Sequence, residues 1–387
     1  MSRIRIVLAD GGSFARYPRG GGHWSCFLQY LFGLDALGHD VFWLEVLDSC
    51  GNRARDQRLI DVFFKRFERY GFKDRCALLL YDQHIAEPTL DNSSVYGMSK
   101  DRLREIARDA DLLWNFACGL QQPLLSLFKR RVLIDVDPGH LQVSAPTVDM
   151  GIHDHHAFLS VGTKLHDADC KVPTLGVKWH RFIPFVLLPM WDVAPDPGGD
   201  APFTSVTQWT WEQLWTDSRV LSVSKRDAYL AYLTLPQKTT RPFELAANIH
   251  PRDHTGDRDL LRSHGWKLVA PHRVASSPAH YQRYIKRSRG EFQCPKPIHK
   301  CLRTGWFSDR SACYLATGRP VLAEDTGFSD HLPTGRGLVA FNNLEEALAG
   351  VAEIDGNYQK HMRAARELAE EYLGSKKWLP IMLAACG

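Results

Sequence analysis

The sequence predicts a two-domain α/β protein, and three observations support this prediction. Short apolar runs of strand length alternate with amphipathic helical segments along the chain. With 387 residues, the chain is too long for one ordinary hydrophobic core. A segment rich in proline and glycine separates two α/β series of similar size. We therefore expect a domain at 1–193, a linker at 194–202, a second domain at 203–357, and a C-terminal helical segment, 358–387, that can pack back on the first domain.

The chain opens with the order strand, glycine-rich loop, helix and strand. The apolar run Arg3–Asp10 predicts a buried parallel strand. A helix at 25–37 and a strand at 40–45 are expected next. This order is typical of a Rossmann-like unit, although the glycine spacing is not GxGxxG. Gly21 and Gly22, just before His23, either cradle a phosphate or form a flexible lid, and the sequence leaves both open.

Two aspartates, Asp135 and Asp137, lie at the end of the fifth predicted strand of this half, RVLID at 131–135. The elements expected before it are a helix at 56–70, a strand at 77–80, a helix at 100–108 and a strand at 111–117. In open α/β sheets, ligands bind beyond the carboxyl ends of the strands. Asp135 and Asp137 are therefore placed to face a cleft, unless their side chains only cap the turn.

A histidine-rich run at 153–156 raises the question of a metal site. Zinc ligands are held on defined elements, in a geometry that adjacent residues rarely supply, and an apolar run follows at 157–161. We therefore expect a loop that enters a strand, with no metal bound. His155 is the candidate for a histidine of this run that contacts the cleft.

The second α/β series begins after the linker. Its strands are expected at 203–209, 243–247, 266–269, 320–324 and 337–341, and the segment 290–292 follows the helix at 278–287. Its helices are expected at 258–264, 278–287, 309–317, 344–354 and 358–373, with an irregular or helical region at 227–232. No internal repeat of solenoid period is present in the sequence.

The most informative stretch of this half is 286–338, which brings a turn, a helix start and a polar strand end together. Thr304–Gly305 forms the turn, and Ser308 is the expected N-cap of the helix at 309–317. The following strand runs into Glu324, Asp325, Thr326 and Gly327. A basic turn, a helix N-terminus and a polar strand end together suit a phosphate and a sugar.

The composition limits the classes of protein to which this chain can belong. The net charge of +4 is mild, and fits small anionic ligands at least as well as nucleic acid. The N-terminal apolar run is too short for a signal peptide, and no apolar stretch is long enough to predict a membrane span. The nine cysteines form no CxxC pair and are expected to be free thiols. These features predict a cytoplasmic protein.

The run ATGRPVLAEDTGFSDHLPTGRGL, at 316–338, resembles a segment of glycosyltransferases with the GT-B fold. With IDVDPG at 134–139 and VPTLGVKW at 172–179, it is similar to uncharacterised bacterial nucleotide-sugar-dependent glycosyltransferases. The resemblance implies two Rossmann-like domains that face each other across a cleft, with the nucleotide sugar on the second. It departs at Gly305 and Cys313, where many retaining members carry glutamates that contact the donor sugar and the ribose.

The resemblance implies transfer of a sugar to a hydroxyl group, with no metal, no bound cofactor and a UDP-sugar as the favoured co-substrate. A helix N-terminus and cations would stabilise the departing diphosphate, and Arg310 is the first choice because its fork matches phosphate. The catalytic candidates are His23, Asp137 and Arg310. The donor-binding candidates are Gly21, Gly22, Arg289, Lys296, Ser308, Arg310, Glu324, Asp325, Thr326 and Gly327, and the acceptor-side candidates are Asp135, Asp137 and His155.

The acceptor side allows several interpretations. An inverting transfer needs a base at the attacking hydroxyl, for which His23 comes before Asp137, and a small-molecule acceptor is favoured. One alternative is a glycosyltransferase with a polymeric acceptor such as modified DNA. Another is a non-catalytic protein that keeps the cleft to bind a nucleotide or a sugar, which the missing carboxylates at Gly305 and Cys313 would explain.

Overall fold

The computed structural model describes residues 2–211, 213–215, 220–250 and 256–387, and its first half contains one eight-stranded sheet. The strands are β1 (Arg5–Asp10), β2 (Asp40–Asp48), β3 (Cys76–Tyr81), β4 (Ser94–Tyr96), β5 (Leu112–Phe116), β6 (Arg131–Asp135), β7 (Ala157–Ser160) and β8 (Trp179–Arg181). Their order in the sheet is β4-β3-β2-β1-β5-β6-β7-β8. Strands β3 and β4 are antiparallel, and the other neighbours are parallel.

Helices cover both faces of this sheet. They are α1 (Gly21–Ala36), α2 (Arg53–Arg69), α3 (Lys100–Asp109) and α4 (His140–Ser144). Within β1, Ile6 and Leu8 belong to the core that contains α1 and α2, whereas Val7 and Ala9 belong to the core that contains α3. Because both faces are buried, the strand reads as a continuous apolar run instead of alternating with polar residues.

The second half contains a six-stranded parallel sheet and a short hairpin. The sheet strands are β9 (Phe203–Gln208), β12 (Phe243–Asn248), β13 (Lys267–Leu268), β14 (Gly290–Gln293), β15 (Val321–Glu324) and β16 (Leu338–Phe341), in the order β13-β12-β9-β14-β15-β16, and the hairpin strands are β10 (Gln213–Trp215) and β11 (Val220–Ser222). The order reverses between β9 and β14, and ligands bind open α/β sheets at such a point.

Helices pack on both faces of the second sheet. The helices that follow β9 along the chain are α5 (Lys225–Leu230), α6 (Asp257–Ser263), α7 (Pro271–Val274), α8 (Pro278–Lys286), α9 (Pro297–Cys301), α10 (Asp309–Ala316), α11 (Leu344–Gly356), α12 (Tyr358–Tyr372) and α13 (Ser375–Ala385). Helix α12 packs on α10, and α13 returns to the first half, where it contacts α1 and β7. No helix of the described ranges is long and apolar enough to cross a membrane.

The predicted α/β class and most of the predicted elements are confirmed, with a few differences. Helix α1 begins at Gly21 instead of Ser25, because the Gly20 carbonyl already accepts a hydrogen bond from the Trp24 amide, at 2.9 Å. The segment 358–387, expected as one C-terminal helical segment, forms two helices, α12 and α13, and α13 contacts the first half. Strand β8 was not expected, because it is a three-residue strand that depends on pairing with β7.

Candidate functional site

The two halves meet where α1 begins. The Gly21 amide donates a hydrogen bond to the Ala275 carbonyl across the domain contact, at 2.6 Å. A methyl group at Gly21 would lie 2.3 Å from the Ser277 carbonyl oxygen, and one at Gly22 would meet the Tyr281 ring at 3.5 Å. In this arrangement Gly21 allows close packing of α1 against the start of α8 and its amide is already bonded, whereas a contact of Gly22 with a phosphate stays a prediction.

Three cations, Lys225, Lys296 and Arg310, lie close together beyond the carboxyl ends of the second sheet. Lys225 begins α5, and its Nζ is 5.4 Å from the centre of the Trp306 ring. Burial, Arg310 and Lys296 lower the pKa of Lys225 to about 7, although Glu291 and Asp309 oppose the shift. No carboxylate in the described part of the chain forms an ion pair with Lys225. Lys225 is therefore the member of this cluster that has no ion-paired carboxylate among the described residues, since Arg310 pairs with Glu291 and Lys296 with Asp137.

Two contacts hold the Arg310 guanidinium in this cluster. Its Nε pairs with Glu291, a fully buried residue of β14, and its Nη1 donates to the Val206 carbonyl at 2.7 Å. Among the described residues, buried Arg310 Nη2 and Glu291 Oε2 have no hydrogen-bond partner. The expectation that Arg310 offers its whole fork to a phosphate is wrong, because two nitrogens are already bonded and only Nη2 remains.

The start of α10 is as predicted. Ser308 is the N-cap, and its Oγ accepts a hydrogen bond from the Arg310 amide at 3.2 Å. The helix N-terminus adds partial positive charge to the cation cluster. Asp309, in the first turn, faces the first half, where its charge raises the pKa of Cys26 in addition to the larger effect of burial.

His23 is exposed to the cleft on α1. The surrounding protein desolvates the imidazolium and lowers the pKa of His23, which Asp10 and Asp309 partly oppose and Lys296 reinforces. The ring lies 5.0 Å from that of Tyr17. A neutral imidazole facing the cleft is able to accept a proton.

The side chain of Asp137, in the first half, contacts residues of the second half. Its carboxylate pairs with Lys296, and its Oδ1 lies 3.1 Å from His299 Nε2. Burial would raise the pKa of Asp137, but Lys296 and His299 outweigh it and hold the pKa far below the usual range. The His299 ring stacks on Trp306 with centroids 4.6 Å apart. In this arrangement Asp137 is a paired carboxylate and a poor base.

The polar residues at the end of β15 form hydrogen bonds with other groups of the protein. Glu324 accepts hydrogen bonds from the Tyr232 hydroxyl at 2.8 Å and from Lys300 Nζ at 2.6 Å. Asp325 accepts one from the Gly327 amide at 2.9 Å, and the Thr326 hydroxyl donates to the Trp306 carbonyl at 2.6 Å. The expectation of a free Gly327 amide for a sugar is therefore wrong, because Asp325 caps this turn. A cavity of about 390 Å³ lies beside Glu324, between α5 and α9.

Three other candidates have structural roles. Arg289 precedes β14, at the amino end of the sheet, where it pairs with Asp355 at 2.7 Å, so it cannot reach the cleft. Fully buried Asp135 accepts hydrogen bonds from Gln142 and Ser160. Both ring nitrogens of His155 are occupied, Nε2 by Asn115 at 2.9 Å and Nδ1 by the Ile152 carbonyl at 3.0 Å. The expected functional contacts of these three residues are wrong.

Solved structures match nearly the whole chain at low sequence identity. Sucrose-phosphate synthase from Thermosynechococcus elongatus is 10% identical, with a TM-score of 0.56 over 99% of this chain and 98% of its own. HepE from Anabaena, in complex with UDP and glucose, is 11% identical, with a TM-score of 0.56 and the same coverage. AviGT4, a glycosyltransferase involved in avilamycin A biosynthesis, is 12% identical, with a TM-score of 0.57 over 99% and 97%. The chain has the GT-B fold. No protein-family model matches the sequence, and no curated protein matches it significantly.

The contact between the two halves explains why residue 305 is a glycine. Gly305 has a φ of +69°, and a methyl group there would lie 2.3 Å from Thr163 Oγ1 and 2.7 Å from the Lys164 amide nitrogen. The Thr163 hydroxyl donates to the Gly305 carbonyl at 2.7 Å. A glutamate cannot occupy this position, because the first half fills the space a side chain would need. Cys313 is buried, and its thiol is 3.2 Å from the Asp309 carbonyl.

Sequence reasoning missed Lys225, His299 and Trp306. Lys225 lies just before the region 227–232 that was expected to be irregular or helical, and its only local signal is Ser224 as an N-cap residue before a short helix. The importance of all three residues depends on contacts between distant segments, which a single sequence does not reveal. Among the described residues, no group of His, Cys, Asp and Glu side chains is arranged to hold a metal ion.

Proposed function

We propose that this protein is a metal-independent glycosyltransferase that moves a sugar from a nucleotide sugar, with a UDP-sugar as the favoured donor, to a hydroxyl of a small-molecule acceptor. The observation that carries the proposal is the convergence of Lys225, Lys296 and Arg310 at the start of α10. A diphosphate would neutralise this charge through charge-assisted hydrogen bonds. HepE, which shares the fold, binds UDP and glucose in its structure, which supports this choice of donor.

The reaction needs charge stabilisation on the donor side. The bond between the anomeric carbon and the phosphate oxygen breaks, and its electron pair leaves with the diphosphate. Lys225, Lys296 and Arg310 Nη2 would stabilise the resulting charge, with the amides at the start of α10. The acceptor oxygen forms the new bond to the anomeric carbon and gives up its proton.

His23 is the candidate base for that proton in an inverting transfer. It is exposed to the cleft on the first half, opposite the cation cluster. Its lowered pKa keeps the imidazole neutral near pH 7, and the neutral form is the one that accepts a proton. In a retaining transfer, the same side chain would contact the donor.

Titration calorimetry with UDP tests the donor site. We expect the wild-type protein to bind UDP and Lys225→Gln to bind at least about tenfold more weakly, a loss of about 1.4 kcal/mol. Lys238→Gln, at an exposed lysine of the same domain, is the matched control and should leave the affinity unchanged. Equal affinities of the Lys225 and Lys238 variants, or no UDP binding by the wild-type protein, would contradict the proposal.

A second candidate function is nucleotide or sugar binding without transfer. It is favoured by Gly305, where Thr163 occupies the space of a side chain. Prolonged incubation with a UDP-sugar separates the two functions. Release of UDP, by transfer to an acceptor or to water, supports the enzyme, whereas tight binding without any UDP release supports the second candidate.

A further inference from the structure

The contact of Asp137 with Lys296 and His299 joins the two halves inside the cleft. Asp137 follows β6 of the first half, and its backbone amide is held by Asp135 Oδ1 at 3.0 Å. Its side chain extends to two residues of the second half, Lys296 before α9 and His299 within it. The His299 side chain is 1% exposed and that of Lys296 is 20% exposed. A carboxylate therefore lies against the second half at the point where its positive charge is concentrated.

The charges of the neighbouring residues explain why a carboxylate is favoured beside Lys296. Arg310 already has Glu291 as its counter-ion, whereas Lys225 has no paired carboxylate among the described residues. Asp137 is the partner that the first half supplies to Lys296. Buried charges are costly unless they are paired, so an empty cleft gains from this contact.

The same cation is needed for a diphosphate. Lys296 cannot give its full charge to both Asp137 and a phosphate group, and a diphosphate carries more negative charge than one carboxylate. We propose, on the basis of the proposed function, that Asp137 is a built-in competitor of the donor diphosphate. Its carboxylate occupies Lys296 and His299 in the empty cleft, and donor binding releases it to face the acceptor hydroxyl.

This competition links the two substrates in a fixed order. Once released from Lys296, the Asp137 carboxylate loses the contact that makes it a poor base. It then becomes available on the acceptor side only after the donor is in place. The donor should therefore bind before the acceptor side of the cleft is complete.

The affinity for UDP tests the competition, with UDP as the probe for titration calorimetry. Asp137→Asn keeps the shape of the side chain and removes its charge, so it should tighten UDP binding by about fivefold or more, because a competing closed state is weakened. In a Lys296→Gln background, the same change should alter the affinity by about twofold or less. Asp330→Asn removes another carboxylate that joins the two halves, through Lys164, and should leave the affinity unchanged.

The outcomes separate this inference from the proposed function. If UDP binds to the wild-type protein and Asp137→Asn binds it equally or more weakly, the competition is contradicted and the donor site stands. If Asp330→Asn tightens binding as much as Asp137→Asn, the gain comes from a looser domain contact, and the competition is again contradicted. If neither the wild-type protein nor Asp137→Asn binds UDP, both proposals fail.

Discussion

At the scale of single residues, Lys225 determines how the cleft responds to pH. Its ammonium group lies beside two other cations and over the Trp306 ring, and burial with these charges lowers its pKa to about 7. The positive charge of Arg310 is one cause of the lowered pKa of Lys225. Arg310 itself forms an ion pair with Glu291. A bound diphosphate would favour the protonated lysine and raise its pKa.

The affinity for UDP should therefore depend on pH. Since the pKa of Lys225 rises on binding, tight binding is present below the pKa of the free protein, about 7, and is lost as the pH increases above it. Linkage gives a loss of up to about tenfold for each pH unit. Calorimetry between pH 6 and pH 9 measures this slope.

Lys225→Arg is the control, because arginine stays charged throughout this range. Its slope should be nearly flat, apart from the ionisation of UDP itself. An equal slope for Lys225→Arg and the wild-type protein would show that another group takes up the proton.

At the scale of elements, the sequence predicted the strands, helices and helix ends better than the roles of the side chains. Strands such as β1 are buried on both faces, and the N-cap at Ser308 is a local residue, so their patterns are visible in the sequence. Arg289 was assigned to the donor because it was placed, together with Lys296, on the loop before the helix at 309–317. However, β14 lies between them and places Arg289 at the opposite end of the sheet.

The turn at Gly305 makes a specific steric prediction. Gly305→Ala should weaken the contact between the two halves, because its methyl group would lie 2.3 Å from Thr163 Oγ1. Gly256→Ala is the matched control, since Gly256 has the same φ of +69° and no atom of the described residues lies within 4 Å of the added carbon. In each variant, the left-handed backbone of the new alanine should lower the free energy of unfolding by about 1–2 kcal/mol.

Small-angle scattering and urea unfolding together measure the effect. Only Gly305→Ala should show a larger radius of gyration, as the halves separate, and it should lose more free energy of unfolding than Gly256→Ala. Identical scattering and stability of the two variants would contradict the steric account of why glycine occupies position 305.

At the scale of the whole molecule, both charged and apolar contacts join the two halves. Lys164 of the first half pairs with Asp330 of the second, and Arg303 of the second half pairs with Asp169 of the first, at 2.7 Å. The pair of Asp137 with Lys296 adds a third charged contact, and Ile298 and Leu302 pack in one apolar core with residues of the first half. None of these cross-domain pairs is local in sequence, which explains why sequence reasoning found the GT-B resemblance but not the arrangement within the cleft.

The most direct test of the account is a crystal structure of the protein with UDP. We expect the diphosphate within hydrogen-bond distance of Lys225 Nζ and of the amides at the start of α10. The Asp137 carboxylate should have moved away from Lys296. A nucleotide bound elsewhere, or a diphosphate that leaves Lys225 without contact, would contradict the central claim that this cation cluster is the donor site.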